Sequence, residues 1–161
     1  MLNNNLSVFD NAGRYLPPEM SAMHHSTTTM AQQIAEAATA FQQQRTGHTP
    51  ESVSVMLSGD TLVVTLHGAL SPAEHAMAQS PEGAAKVQEF HRQLFLNASD
   101  TLRQEIKRIT GVEVREATSE VRLANCTTLH VFTTGTMVQV FLLAQTLSAE
   151  IWSGNGSGAP A

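Results

Sequence analysis

The sequence predicts an α+β fold. It consists of a mainly antiparallel sheet of about four strands, arranged as two hairpins, with a long helix and an N-terminal helix packed on one face. Three observations predict it. The stretch "ESVSVMLSGDTLVVTLHG" alternates apolar and polar residues on both sides of Gly59-Asp60, the pattern of a β-hairpin. From Ser80 to Thr110 apolar residues recur at helical spacing. The order helix, hairpin, helices, hairpin then places the helices together over one side of a sheet.

Each element has its own warrant. Residues 1–27 carry Asn, Pro, paired His and Thr without periodicity, and read as a flexible leader. Met30, Ile34, Ala37 and Phe41 repeat at helical spacing and Gly47 sits where a C-terminal cap belongs, so a helix is expected over Thr28 to Arg45. In the first hairpin a two-residue loop pairs Leu57 with Leu62, Val55 with Val64, and Val53 with Leu66. Those six residues share one face, and Ser54, Ser58, Thr61 and Thr65 take the other. The segment "LSPAEHAMAQSPEGAAKVQEF" holds two Ser-Pro helix starts, predicting a short helix over Ser71 to Ala78 and a long one over Ser80 to Thr110. The long helix carries a stripe of Val87, Phe90, Leu94, Phe95, Ala98, Leu102, Ile106 and Ile109, and Gly111 stops it. The runs "VEVREATSEVRL" and "TLHVFTT" form a second hairpin around a loop Asn125–Thr127, aligning Val121 with Val131 and Leu123 with Leu129. A final strand is expected over Met137 to Leu143, then a short helical or irregular end before Trp152 and a Gly/Ser tail over 153–161. Residues 28–152 thus make one domain.

The bulk properties exclude several function classes. With 161 residues the chain can bury a core without disulfides or metal. The net charge is −5, the pI about 5.7, and no Lys/Arg run occurs, so no nucleic-acid partner is expected. One cysteine, Cys126, fits a reducing compartment. No apolar run approaches membrane-span length and the N-terminus lacks the order of a signal peptide, so a cytoplasmic protein without membrane insertion is expected.

The candidate chemistry is sparse. His24 and His25 have no third ligand at metal spacing, and Cys126 has no neighbouring cation in sequence. No nucleophile elbow or Gly-rich phosphate loop occurs, so no enzyme, metal or cofactor is expected. Ser71-Pro72-Ala73-Glu74 spells a full capping box, whereas Gly83 stands where a second box would have Glu. A glycine in a first turn costs stability, so something packs against it. His67, Gly68, His75 and Gly83 are the candidate ligand-binding residues, around a cleft near the two helix starts. His91 interrupts the apolar stripe, and so does Glu105, about 21 Å further along a straight helix. An antiparallel second copy of that helix would bring the two together. His91, Glu105, His130 and Phe132 are therefore the candidate interface residues, since the open sheet face is expected to carry Met56, Val63, His130 and Phe132.

These same segments carry a resemblance. The run from "ESVSVMLSGDTLVVTLHG" through "LSPAEHAMAQSPEGAAKVQEFHRQLF", then "ITGVEV" and "FTTGTMVQVFLL", resembles the MpsC-like family. Its most specific pieces are the Gly59-Asp60 hairpin, Leu70 to Glu74, Ser80 to Gly83, Arg92-Gln93-Leu94 and Gly135. Members often have Thr-Gly-Thr where this chain has Asn125-Cys126-Thr127, which removes a turn glycine. The family is named for a component of a sodium-translocating, membrane-potential-generating system linked to inorganic carbon uptake. The resemblance implies a small accessory protein that acts through protein contacts, with a homodimer and a membrane transport complex as its partners. The alternative reading of the residues is a small-ligand or anion-binding module.

Overall fold

The computed structural model describes residues 28–115, 127–131 and 134–152, and two short strands nearer the N-terminus. Those strands, β1 (Val8–Phe9) and β2 (Tyr15–Leu16), form a two-residue antiparallel ladder within the segment expected to lack structure.

Helix α1 spans Met30–Thr46. Thr29 caps it reciprocally with Gln32, each side chain accepting from the other's amide, and Gly47 ends it with φ 73°. Strands β3 (Ser52–Ser58) and β4 (Thr61–His67) form the expected hairpin, with Leu57 opposite Leu62, Val55 opposite Val64 and Val53 opposite Leu66. Gly59 takes the positive φ of 64° that the tight turn demands. Helices α2 (Pro72–Met77) and α3 (Pro81–Thr110) follow, each starting from its Ser-Pro cap, and Gly111 closes α3 at φ 74°. Strand β6 (Met137–Leu142) pairs antiparallel with β4, and β5 (Thr127–Val131) pairs with the other side of β6. A last short helix, α4, covers Ala149–Trp152.

The sheet order is β3-β4-β6-β5. The three strands β3, β4 and β6 carry the core, and the α+β class with an antiparallel sheet and a long helix stands. The second hairpin differs from expectation. Thr127, expected in a loop, lies in β5, and β5 pairs with β6 so that Val131 faces Met137 and Leu129 faces Gln139. The turn residue between them is Gly135, with φ 83°. Of the other arm of the expected hairpin, the run from Val112 to Leu123, only Val112–Arg115 is described, and there Val114 bridges Leu143 antiparallel; the rest lies outside the described residues.

The core sits between the sheet and the helices α1 and α3, which also pack on one another. Ile34, Leu62, Leu66, Leu102, Ile106, Met137 and Phe141 are fully buried, and the Phe95 and Phe141 rings meet at 5.9 Å. Removing a side chain such as Leu102 to Ala costs about 2–5 kcal/mol in such a setting. The buried stripe of α3 is Val87, His91, Phe95, Ala98, Leu102, Ile106 and Ile109. Phe90, expected in it, is instead 52% exposed. The stripe passes through His91, and a neighbour on a helix is turned about 100° away.

Among the described residues, no helix covers the opposite sheet face. Met56 is 70% exposed, and register places it in one row with Val63 and Val140.

Candidate functional site

The two Ser-Pro starts build a joint. Ser71 Oγ accepts from the Glu74 amide at 3.3 Å, and the Ser71 amide donates to Glu74 Oε2 at 2.7 Å. That capping box uses one carboxylate oxygen. The other, Oε1, lies 2.7 Å from Nε2 of His91 in the long helix. One acid therefore ends the short helix's loose amides and fastens α2 to α3.

The electrostatics assign the proton. Burial pushes the Glu74 carboxyl up, but the hydrogen bonds of Ser71 and the neighbouring His91 outweigh it and hold the group below the usual carboxylate range. Burial pushes the His91 imidazole down, and the attraction of Glu74 recovers only part of that, leaving it below the ordinary 6.5. Near neutral pH the pair is a carboxylate accepting from the Nε2–H of a neutral imidazole. The His91 side chain is 1% exposed and that of Glu74 16%. The Phe90 ring stands edge-on to His91 at 5.1 Å.

Gly83 completes the joint. A Cβ at this position would lie 1.8 Å from the carbonyl oxygen of Met77. The end of α2 presses on the first turn of α3, so only a glycine fits.

None of the four expected ligand-binding residues lines the groove beside the helix starts. His67 is exposed at the end of β4, with its carbonyl accepting from the Glu51 amide at 2.9 Å. Gly68 has φ 60°, packs against the Glu51 side chain, and gives its carbonyl to His48 Nε2 at 2.9 Å. His75 lies against Gly135, where an added Cβ would come within 2.8 Å of His75 Nε2. Gly83 is committed to Met77. The cleft near the helix starts exists, but other residues line it. It encloses about 450 Å³ between Ser71, Glu74 and Met77 on one side and Lys86, Val87 and Phe90 on the other. Arg45 and Thr46 close it from the end of α1.

The expected interface residues also separate. His91 is held inside the chain by Glu74, so it cannot meet Glu105 of a second copy. Glu105 instead pairs with Arg108 at 2.9 Å, one turn along its own helix. His130 lies in β5 opposite Val138. Phe132, like His24, His25 and Cys126, lies outside the described residues. Among the described residues no three His, Cys, Asp or Glu side chains gather as a metal site. No described helix is long and apolar enough to cross a membrane.

The Glu74–His91 contact escaped sequence reasoning, which expected His91 to bond a backbone carbonyl or to set a dimer register. Its signal was present in two places. A capping-box Glu leaves one oxygen unused, and a His inside an apolar stripe needs a partner.

The comparisons with known proteins place the chain in a family. The chain is 25% identical over 129 residues to the Bacillus subtilis (strain 168) protein named "Uncharacterized protein YbcI", covering 80% of this chain and 97% of that one. No solved structure matches. The family described as "Na+-translocating membrane potential-generating system (MpsC)" matches residues 26–136, from just before α1 through α3 and β5 to the start of β6, and the chain belongs to that family.

Proposed function

We propose that the protein is a non-enzymatic accessory or regulatory protein of the cytoplasm. It forms a homodimer through the sheet face opposite the helices and docks as a dimer onto the membrane components of an MpsC-type system. The observation that carries this reading is Met56, 70% exposed on the edge strand β3, beside Val63 and Val140 on a sheet face that no described helix covers. Among the residues of β3, β4 and β6 that share it, Ser52, Ser54, Met56, Ser58, Thr61, Val63, Thr65, His67, Val138, Val140 and Leu142, none is Lys, Arg, Asp or Glu. An uncharged, apolar-centred patch matches itself across a two-fold axis, whereas a charged partner would find nothing to pair with. Membership of the family supports the accessory role.

Sedimentation velocity at micromolar concentration tests the dimer. The native chain is expected to sediment as a dimer and Met56→Glu as a monomer with an unchanged circular dichroism spectrum, since a residue this exposed is not needed for folding. A native monomer across that range, or a Met56→Glu dimer, would sink the proposal. Cross-linking in intact cells followed by capture checks the docking, with membrane proteins as the expected yield.

A further inference from the structure

We infer that the groove between the end of α1 and the α2–α3 joint binds a small soluble amphipathic anion, a molecule with an apolar body and one acidic head. Nothing in this inference depends on the sheet face opposite the helices. The volume of about 450 Å³ falls within the range of small-molecule sites.

The groove is built from two opposed kinds of group. Its apolar part is Met77 and Phe90, side chains from different helices that are 48% and 52% exposed. Both line the groove together with the buried Val87. Leaving two large apolar side chains in water is costly, and an apolar body laid between them removes that exposure. The head is set by Arg45 from α1 and Lys86 from α3, which line the same groove in a chain with a net charge of −5. Arg45 also lies over the Phe41 ring, 5.8 Å from its centre, which orients the guanidinium at the helix end. Lys86 pairs with Glu82 at 3.1 Å, but both side chains are well exposed, and such a pair yields readily to a better-placed anion. The one acid in the wall, Glu74, has both oxygens engaged, by the Ser71 amide and by His91. The Ser71 hydroxyl, which accepts from the Glu74 amide and keeps its own hydrogen to give, completes a rim able to hydrogen-bond a carboxylate, sulfonate or phosphate. The Thr46 hydroxyl is instead donated to the Gln42 carbonyl at 2.8 Å.

A matched pair of fluorescent probes tests this on the full chain. 8-Anilinonaphthalene-1-sulfonate carries an apolar body and an acidic head, and N-phenyl-1-naphthylamine is the same body without the head. The sulfonate is expected to bind more tightly. Lys86→Glu and Arg45→Glu should each weaken the sulfonate about tenfold and leave the uncharged probe unchanged. Phe90→Ala should weaken both. Met56→Glu, on the other side of the molecule, should alter neither. Soluble decanoate should displace the sulfonate, and phosphatidylglycerol vesicles at the same anion concentration should not. Equal binding of the two probes, native-like sulfonate binding by both charge-reversed variants, or loss of the signal in Met56→Glu would overturn the inference. Displacement by vesicles but not by decanoate would overturn it in favour of a lipid surface.

Discussion

Glu74 is held at both carboxylate oxygens, by the Ser71 amide at 2.7 Å and by His91 Nε2 at 2.7 Å. Only a carboxylate offers an acceptor in each direction. Glu74→Ala removes both, reopens the cap of α2 and leaves a buried imidazole N–H without a partner. We expect it to destabilise the protein by about 1–3 kcal/mol in urea unfolding. Glu74→Gln keeps the shape but has one oxygen and one amide. Its oxygen can serve Ser71 and its amide can face His91, provided the ring moves its proton from Nε2 to Nδ1. A smaller loss of stability is therefore expected, together with a tautomer change visible in nitrogen-15 NMR spectra of the imidazole. An alanine variant within about 0.5 kcal/mol of the native chain would mean the contact carries no stability.

At the scale of elements, α2 contributes no buried residue within its own length and is defined by what it touches at its two ends. One end is the Ser71–Glu74 box. The other is the close approach of the Met77 carbonyl to Gly83. Gly to Ala inside a helix ordinarily stabilises, by up to about 1 kcal/mol. Here the new Cβ would lie 1.8 Å from a backbone oxygen, which cannot swing aside as a side chain can. Gly83→Ala is therefore expected to destabilise, by about 1–3 kcal/mol, and an increase in the urea midpoint would refute the close approach. The sequence marked Gly83 as unexplained and could not name Met77. The contact depends on how a six-residue helix turns back on its successor, and no local pattern encodes that. The first hairpin was legible to the residue, because Gly59-Asp60 fixes the loop and a slip by one residue would turn Leu62, Val64 and Leu66 to water. The helix caps were legible for the same reason, since their partners lie within four residues. The second hairpin had no such constraint. Val121, Leu123, Leu129 and Val131 alternate equally well in several registers, and the partner of β5 was the strand beyond the Gly135 turn. None of the four residues named for a ligand, His67, Gly68, His75 and Gly83, lines the groove beside the helix starts. Arg45, Met77, Lys86 and Phe90 come together only once α1 ends beside the α2–α3 joint.

At the scale of the whole molecule, one face of the sheet is covered by helices and no described helix covers the other, so the described core lies on the covered side. The Glu74–His91 pair lies on that side and makes stability depend on pH. Both groups have native pKa values below their ordinary ones. A depressed native value means the unfolded chain binds more protons, so stability falls as pH falls. For His91 the contribution is complete above its unfolded value of 6.5 and is lost as pH drops from there toward its native value. For Glu74 the contribution is complete above 4.5 and is lost below it. Glu89, drawn down to about 2 by hydrogen bonds from Arg92 and Gln93, shares that lower window. Its partners are exposed, so high salt weakens its part and leaves that of the buried pair. Urea midpoints measured in high salt between about pH 7 and pH 5 are thus expected to fall for the native chain. His91→Gln keeps a hydrogen-bond donor for Glu74 but cannot titrate, so its curve should be flat across the same window. Parallel curves would assign the pH dependence to another group. A flat variant curve would place it at the joint that also forms one wall of the groove, so that acidification and filling of the groove would act on the same pair of helices.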